Sequence, residues 1–321
     1  MIANLRLRPL AFGLASYVPG VTRVFRRGTG GTSSARYCYS VWMRHLISAH
    51  ACKQTRLPET VAELGPGDSL GVGLAALLTG ANHYYALDFI KYADNLENLG
   101  VFDELLALFS KRTAIPDDQE FPLIIPRLNS YDFPSYILGD ELLKISLASK
   151  RVQNIRAAIS GQGDASTTIT YMAPWLDADI VKKHSVDMIF SQAVLEHIDG
   201  IRLAYEAMRQ WLHPTGCMTH SIDFKSHGLT KDWNGHWTQS DIAWKLLRGR
   251  RPYMINREPH SVHVQMLRDS GFDILCDERY ELPSRIADSM VASRFCNMSS
   301  EDFHTSDAFI VAAPTARNLT A

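Results

Sequence analysis

The chain has 321 residues, of which 46% are hydrophobic and 21% charged, and its formal net charge is −1 at pH 7. That composition belongs to a globular protein with a sizeable core, and the length suits one α/β domain carrying insertions. A near-neutral charge without a long basic stripe argues against a nucleic-acid partner or an anionic membrane surface.

At the N-terminus, Arg6, Arg8 and Arg23 surround the largely apolar run Pro9 to Val21. Prolines break the run, it lacks a small-residue cleavage site, and it is too short to span a bilayer. An amphipathic helix that packs on the domain, or loosely covers a ligand, is expected there. No other stretch reaches 18 consecutive apolar residues, so no integral membrane segment is expected. Arg27 to Ser34 is a Gly/Thr/Ser connector, and Ala35 to Cys52 carries Tyr39, Val41, Trp42, Leu46 and Ile47 at helical spacing. Residues 1–57 therefore read as an N-terminal helical or lid segment, 58–314 as the main domain and 315–321 as a tail.

From about residue 60 the pattern becomes strand, glycine loop, helix, strand. Thr60–Leu64 is a short apolar strand, Ser69–Leu78 a helix of small residues and His83–Leu87 a second strand. One such βαβ unit implies a parallel sheet. Thr167–Met172 reads as a third strand, Ser185–Ser191 as a buried fourth, and Gly200–Trp211 as the helix after it. The turn His213 to Gly216 leads into a fifth strand, Gly216–Ile222. Val262–Ser270 is then a helix, and the last two strands, Phe272–Glu278 and Asp307–Ala312, have no helix between them and are expected to pair antiparallel. The fold class is α/β: a doubly wound, mostly parallel seven-stranded sheet with an antiparallel last strand and helical insertions. The insertions, at about 90–165 and 224–258, exceed what a plain crossover needs and are expected to cover and define a substrate site.

The chemistry starts at Glu63-Leu-Gly-Pro-Gly-Asp-Ser-Leu-Gly71. Gly65, Gly67 and Gly71 follow a strand and open a helix, where glycine permits a tight turn and close approach of a ligand to the backbone. Nicotinamide and flavin enzymes place G-x-G-x-x-G at the same point. Here Gly71 lies four residues after Gly67 rather than three, and Glu63 would sit awkwardly beside a pyrophosphate but suits a ligand end that carries an ammonium group. Asp88 ends the second strand, where a carboxylate can accept both hydroxyls of a ribose.

These residues resemble the first motif of the class I S-adenosylmethionine-dependent methyltransferase superfamily. The resemblance continues in Val186-Asp-Met-Ile-Phe-Ser-Gln-Ala-Val-Leu-Glu-His-Ile198 and in Met208-Arg-Gln-Trp-Leu-His-Pro-Thr-Gly-Cys-Met218. It covers roughly residues 58–90 and 165–223, with a tail at 260–314. It implies a Rossmann-like methyltransferase fold and S-adenosyl-L-methionine as cofactor. It further implies that Glu63, Gly65, Pro66, Gly67 and Ser69 surround the amino-acid end of the cofactor, Asp88 its ribose and Phe89 its adenine. Ser191 and Gln192 would line the methionine part. Many relatives carry an acidic residue after the third strand; this chain has Met172-Ala-Pro-Trp175 instead.

Methyl transfer is an in-line displacement, so the protein chiefly aligns the acceptor and excludes water, and a base is needed only when the acceptor must lose a proton. His197, Asp223 and His227 are the catalytic candidates, with Asp223 and His227 spaced to form a carboxylate–imidazole pair. Asp223, His227 and His236 could also ligate a divalent ion, but their spacing matches no compact motif, so no resident metal is expected. Trp233, Trp237 and Trp244, with Arg248, Arg250, Arg251 and Arg257, suit a sugar ring or flat scaffold bearing a phosphate or carboxylate. The expected function is methylation of a small molecule or glycan, on oxygen, with homodimerisation left open. A fold that has lost catalysis is the first alternative. An NAD(P)-dependent oxidoreductase is the second, disfavoured by the glycine spacing and the lack of a Tyr-x-x-x-Lys pair. Five scattered cysteines without a C-x-x-C pair read as reduced thiols of a cytoplasmic protein.

Overall fold

The structure, a computed structural model, describes residues 6–18, 31–52, 56–93, 95–175, 177–251 and 254–316. Residues 27–30 of the connector and 317–321 of the tail lie outside them.

Seven strands form one sheet in the order β3-β2-β1-β4-β5-β7-β6. They are β1 (Thr60–Leu64), β2 (His83–Leu87), β3 (Thr168–Met172), β4 (Val186–Gln192), β5 (Leu212–Asp223), β6 (Phe272–Glu281) and β7 (Thr305–Pro314). The pairs from β3 through β5 are parallel, whereas β7 runs antiparallel to both neighbours, β5 and β6. The expected sheet class is therefore present, reversed last strand included. One detail differs from the sequence reading. The turn at His213–Gly216 is absorbed as a bulge at the start of β5, where the pairing jumps from Val186↔Leu212 to Met188↔Cys217.

Residues alternate between two cores because a strand turns successive side chains to opposite faces. On one face, Val61, Ala86, Met188 and Phe190 pack under α2 (Ala35–Ala51), α3 (Gly71–Leu78) and α4 (Asn95–Ser110). On the other face, Ala62, Leu64, Ile189 and Met218 meet α7 (Ile201–Trp211) and α9 (His260–Asp269). Helix α3, Gly-Val-Gly-Leu-Ala-Ala-Leu-Leu, is buried all round. Its small residues are what let a helix fit between the sheet, α2 and α4. Helix α2 lies deep in this layer, with Trp42 fully buried and its indole N–H donating to Thr79 Oγ1 at 2.9 Å. The helix predicted from Ser69 starts at Gly71, since Ser69 instead accepts the Gly71 N–H on its hydroxyl.

The 90–165 insertion contains α4, α5 (Asp140–Ser146) and α6 (Ser149–Ile159). The irregular run before α5 is pinned by Arg44 of α2. Its guanidinium is fully buried and donates to the Pro116, Ile124 and Pro126 carbonyls and to Asp118. In the second insertion, α8 (Asp241–Arg248) carries α1 (Leu7–Ala15) across it. The crossing is so close that a Cβ on Gly13 would stand 2.2 Å from the Leu247 carbonyl oxygen. Among the described residues no helix is long and apolar enough to cross a membrane.

Candidate functional site

The loops at the C-terminal ends of β1, β2, β4 and β5 converge on one edge of the sheet, where open α/β sheets bind ligands. Register places Leu64 beside both Leu87 and Ser191, and Ser191 beside His220.

After β1, Gly65 and Gly67 adopt φ of 66° and 77°, the left-handed region that glycine enters at little cost. A side chain at Gly65 would also strike Val194, 2.5 Å away. The Gly67 N–H points at Asp88 Oδ2 (3.4 Å), and the Phe89 N–H donates to Asp88 Oδ1 (2.7 Å). Loop and second-strand carboxylate are thus in contact, as their sequence positions implied. Phe89 is 55% exposed beside them. Trp175, after β3, joins the same corner through its N–H, which donates to the Asp88 carbonyl at 3.1 Å.

Glu63 is buried, where it accepts from the Tyr84 hydroxyl and the Gly73 N–H. Burial pushes its carboxyl up to about 8, against the pull of those two donors. Gly73 is what makes room for the arrangement: a Cβ there would stand 2.0 Å from the Tyr84 ring. Ser69 is also buried, tied to Thr32 by its backbone N–H (3.1 Å) and its hydroxyl. The Leu70 N–H is taken by Asn98 Oδ1 at 2.8 Å. Thr32, Tyr84 and Asn98 therefore shape the loop. None carried a sequence signal, because each acts through a contact distant along the chain. Ser191 is fully buried and bonded to His220 Nδ1 (2.8 Å). Gln192 bridges His45 Nε2 and Ser221 Oγ, both at 3.2 Å.

The catalytic candidates do come together. Asp223 ends β5, and His227 four residues on turns back so that its Nε2 lies 3.3 Å from Asp223 Oδ2. Burial alone would raise Asp223, but the His227 contact and the Lys225 ammonium hold it down at about 2. His227 has φ of 49°, a left-handed conformation that costs a side-chain-bearing residue roughly 1 kcal/mol or more. Ala193, just past β4, is held likewise at 53°. His197 faces His227 edge-on with ring centroids 5.0 Å apart.

Beside His197 lies Glu196, only 3% exposed; among the described residues no side chain hydrogen-bonds its carboxylate, which is faced by the backbone N–H groups of Glu196 and Asp223 and by His197 Nε2 at 4.0 Å. Burial and the negative Asp223 push this carboxyl well above the usual range. Asn256 fixes the turn that buries it, donating through its side chain to the Leu195 and Ile198 carbonyls (2.8 and 3.0 Å) and through its backbone to that of Glu196. Sequence reading noted Glu196 only as the neighbour of His197. A glutamate beside a histidine gives no sign of which one faces inward.

A cavity of about 550 Å³ opens beside Asp223 and His227, lined also by Lys225, Lys231, Trp233 and Arg285; His197 and Glu196 lie behind its lining. The arginines expected to meet an acceptor make contacts within the protein instead. Arg248 pairs with Asp199, Arg251 bonds backbone carbonyls of α1 and α8, and Arg250 lies over the Tyr17 ring. Arg257 is buried between Trp244 and Phe295 and donates to Gln239 O and Asp241. His236 is equally enclosed, packed on Trp237 with ring centroids 4.6 Å apart; it feels the charges of Asp223 and His227, but the group of potential ion ligands at His227 is made with Glu196 and His197.

No family model matches the chain, and no curated protein matches it significantly. Solved structures do. The S-adenosylmethionine dependent methyltransferase from Mesorhizobium loti is 13% identical, over 83% of this chain and 95% of that one, with a TM-score of 0.40. Phosphoethanolamine N-methyltransferase 2 of Haemonchus contortus, in complex with S-adenosyl-L-methionine, is 13% identical over 87% of this chain and 56% of that one, with a TM-score of 0.41. The CurJ carbon methyltransferase is 13% identical over 96% and 61%, with a TM-score of 0.38. The fold assignment is carried by the strand order, the reversed β7 and the glycine loop after β1 rather than by these similarities. On that ground the chain has a Rossmann-like, doubly wound α/β fold with a reversed last strand, as the sequence resemblance led one to expect.

Proposed function

We propose that the protein is an S-adenosyl-L-methionine-dependent methyltransferase that acts on a hydroxyl of a small molecule or glycan. The observation that carries the reading is the corner where the left-handed Gly65 and Gly67 meet Asp88, at the same sheet edge as the cavity over Asp223 and His227. In this reading Gly65, Pro66 and Gly67 pack against the amino-acid part of the cofactor, Asp88 takes the ribose hydroxyls and the exposed Phe89 covers the adenine. Glu63, buried behind the loop, sets the ammonium end of the pocket through its bonds to Tyr84 and the Gly73 N–H, and Ser69, Ser191 and Gln192 hold the walls.

Transfer forms a bond from the acceptor oxygen to the methyl carbon as the carbon–sulfur bond breaks, and the hydroxyl proton must leave. The Asp223–His227 pair, which lines the cavity and has His197 packed on its imidazole, is the group suited to remove it. Trp233 presents a flat apolar wall to a ring-shaped acceptor, its indole N–H already occupied by the Pro283 carbonyl at 3.0 Å.

Isothermal titration with S-adenosylhomocysteine and with NAD tests the cofactor directly. Binding of the first and not the second is expected, and Asp88→Ala should weaken it by about tenfold or more, because a charged contact to two hydroxyls is lost. Absence of S-adenosylhomocysteine binding sinks the reading.

A further inference from the structure

The cluster around His227 has a feature that base catalysis leaves unused: Glu196, a carboxylate enclosed by protein whose oxygens are met by no side-chain donor among the described residues. Burying a carboxylate with backbone N–H groups as its sole donors is costly, and natural cores avoid it unless something else helps to satisfy the oxygens. Donor atoms of Glu196, His197 and His227 all lie within 4.8 Å of one another. Ligands that share one ion at about 2.1 Å stand closer than that to each other, so a small contraction brings all three into coordination. His227 has the support typical of a metal-bound histidine. One ring nitrogen faces the Asp223 carboxylate at 3.3 Å, which leaves the other for an ion and fixes the direction of the ring. The left-handed backbone at His227 is what aims the side chain back at this point instead of out to solvent. His227 also lines the cavity, so the cluster is reachable from outside.

We infer that Glu196, His197 and His227 form a binding site for one divalent first-row transition ion, with Asp223 orienting His227. Two imidazoles and one carboxylate select zinc, cobalt(II), manganese(II) or iron(II) over magnesium or calcium, which prefer all-oxygen shells. Three protein ligands leave coordination positions for water or an acceptor oxygen from the cavity. His236, buried on Trp237, takes no part. The site rests on its own geometry and stands whether or not the chain transfers methyl groups. If it does, the ion takes the nitrogen that His227 would use as a base, and it eases loss of the hydroxyl proton in that base's place by drawing the oxygen's pKa down.

The test uses the full chain, stripped with a chelator and titrated with cobalt(II), whose visible absorption reports imidazole and carboxylate coordination. One ion per chain is expected. Glu196→Gln, which keeps the shape and removes the charge, should weaken binding by about tenfold or more, and Asp223→Asn by about 10- to 100-fold through the loss of the orienting carboxylate. Far-ultraviolet circular dichroism and S-adenosylhomocysteine titration of the same samples show whether each variant is folded and whether the cofactor reading holds independently. No cobalt(II) bound, or equal binding by wild type and a folded Glu196→Gln, overturns the inference. Cobalt(II) binding without S-adenosylhomocysteine binding upholds the ion site and rejects the cofactor.

Discussion

Glu63 and Asp88 show how the same side chain can be placed by sequence and yet be defined by its surroundings. Both positions follow from the strand ends they occupy. That Glu63 lies under α3, bonded to Tyr84 and the Gly73 N–H, follows only from packing. Its raised pKa has a thermodynamic consequence. A carboxyl at about 8 in the folded chain, against 4.5 ordinarily, binds a proton more tightly when folded. Its contribution is therefore most favourable below about pH 4.5, declines as pH rises towards 8 and is constant above. Glu63→Gln should flatten that decline. Urea midpoints measured from about pH 5 to 8.5 check it, and parallel curves for wild type and variant would refute the raised pKa.

Among the elements, α1 and α8 form a unit of their own at the edge of the domain. Gly13 admits the Leu247 carbonyl, Gly249 at φ of 59° admits the Gly13 carbonyl at 2.1 Å from its would-be Cβ, and Ser16 Oγ accepts from the Arg250 N–H at 2.7 Å. Gly13→Ala should force the two helices apart, at a cost of about 1–3 kcal/mol for the overpacked contact. The expected outcome is faster proteolysis within residues 6–18 while S-adenosylhomocysteine affinity stays unchanged, because the cofactor corner lies at β1 and β2. Equal protection of wild type and variant would mean that the crossing holds α1 weakly. The arginines near 248–257 belong to this unit too. Their clustering suggested ligand binding, but a guanidinium also bonds backbone carbonyls and stacks on rings. With Trp244, Phe295 and free carbonyls in reach, Arg257 and Arg251 are consumed within the fold.

At the scale of the molecule, the proposed cofactor corner and the proposed acceptor cavity sit on one edge of the sheet but on different strands, so the two roles can be separated by mutation. His227→Ala should lower turnover on a hydroxyl acceptor by about 100-fold or more while cofactor affinity remains within about twofold, the pattern of a group acting on the reacting proton. Comparison of kcat with the S-adenosylhomocysteine dissociation constant checks it. Parallel losses in both would move His227 to a structural role.

The sequence alone determined the local facts: glycines where the loop turns left-handed, apolar runs where strands are buried, and a carboxylate at the end of β2. Such features are fixed by near neighbours along the chain, and a period of two or of 3.6 residues records them directly. The boundaries of β1 and β2 and the reversed pairing of the last two strands were legible for that reason. Only the tertiary structure decided what meets across long separations. It set Arg44 under the 116–126 run, Thr32 against Ser69, and Glu196 and His197 against His227. It also spent the arginines of the second insertion on the fold. Whether a polar side chain faces a ligand or a buried carbonyl depends on which distant groups fold against it, and one-dimensional spacing does not carry that information.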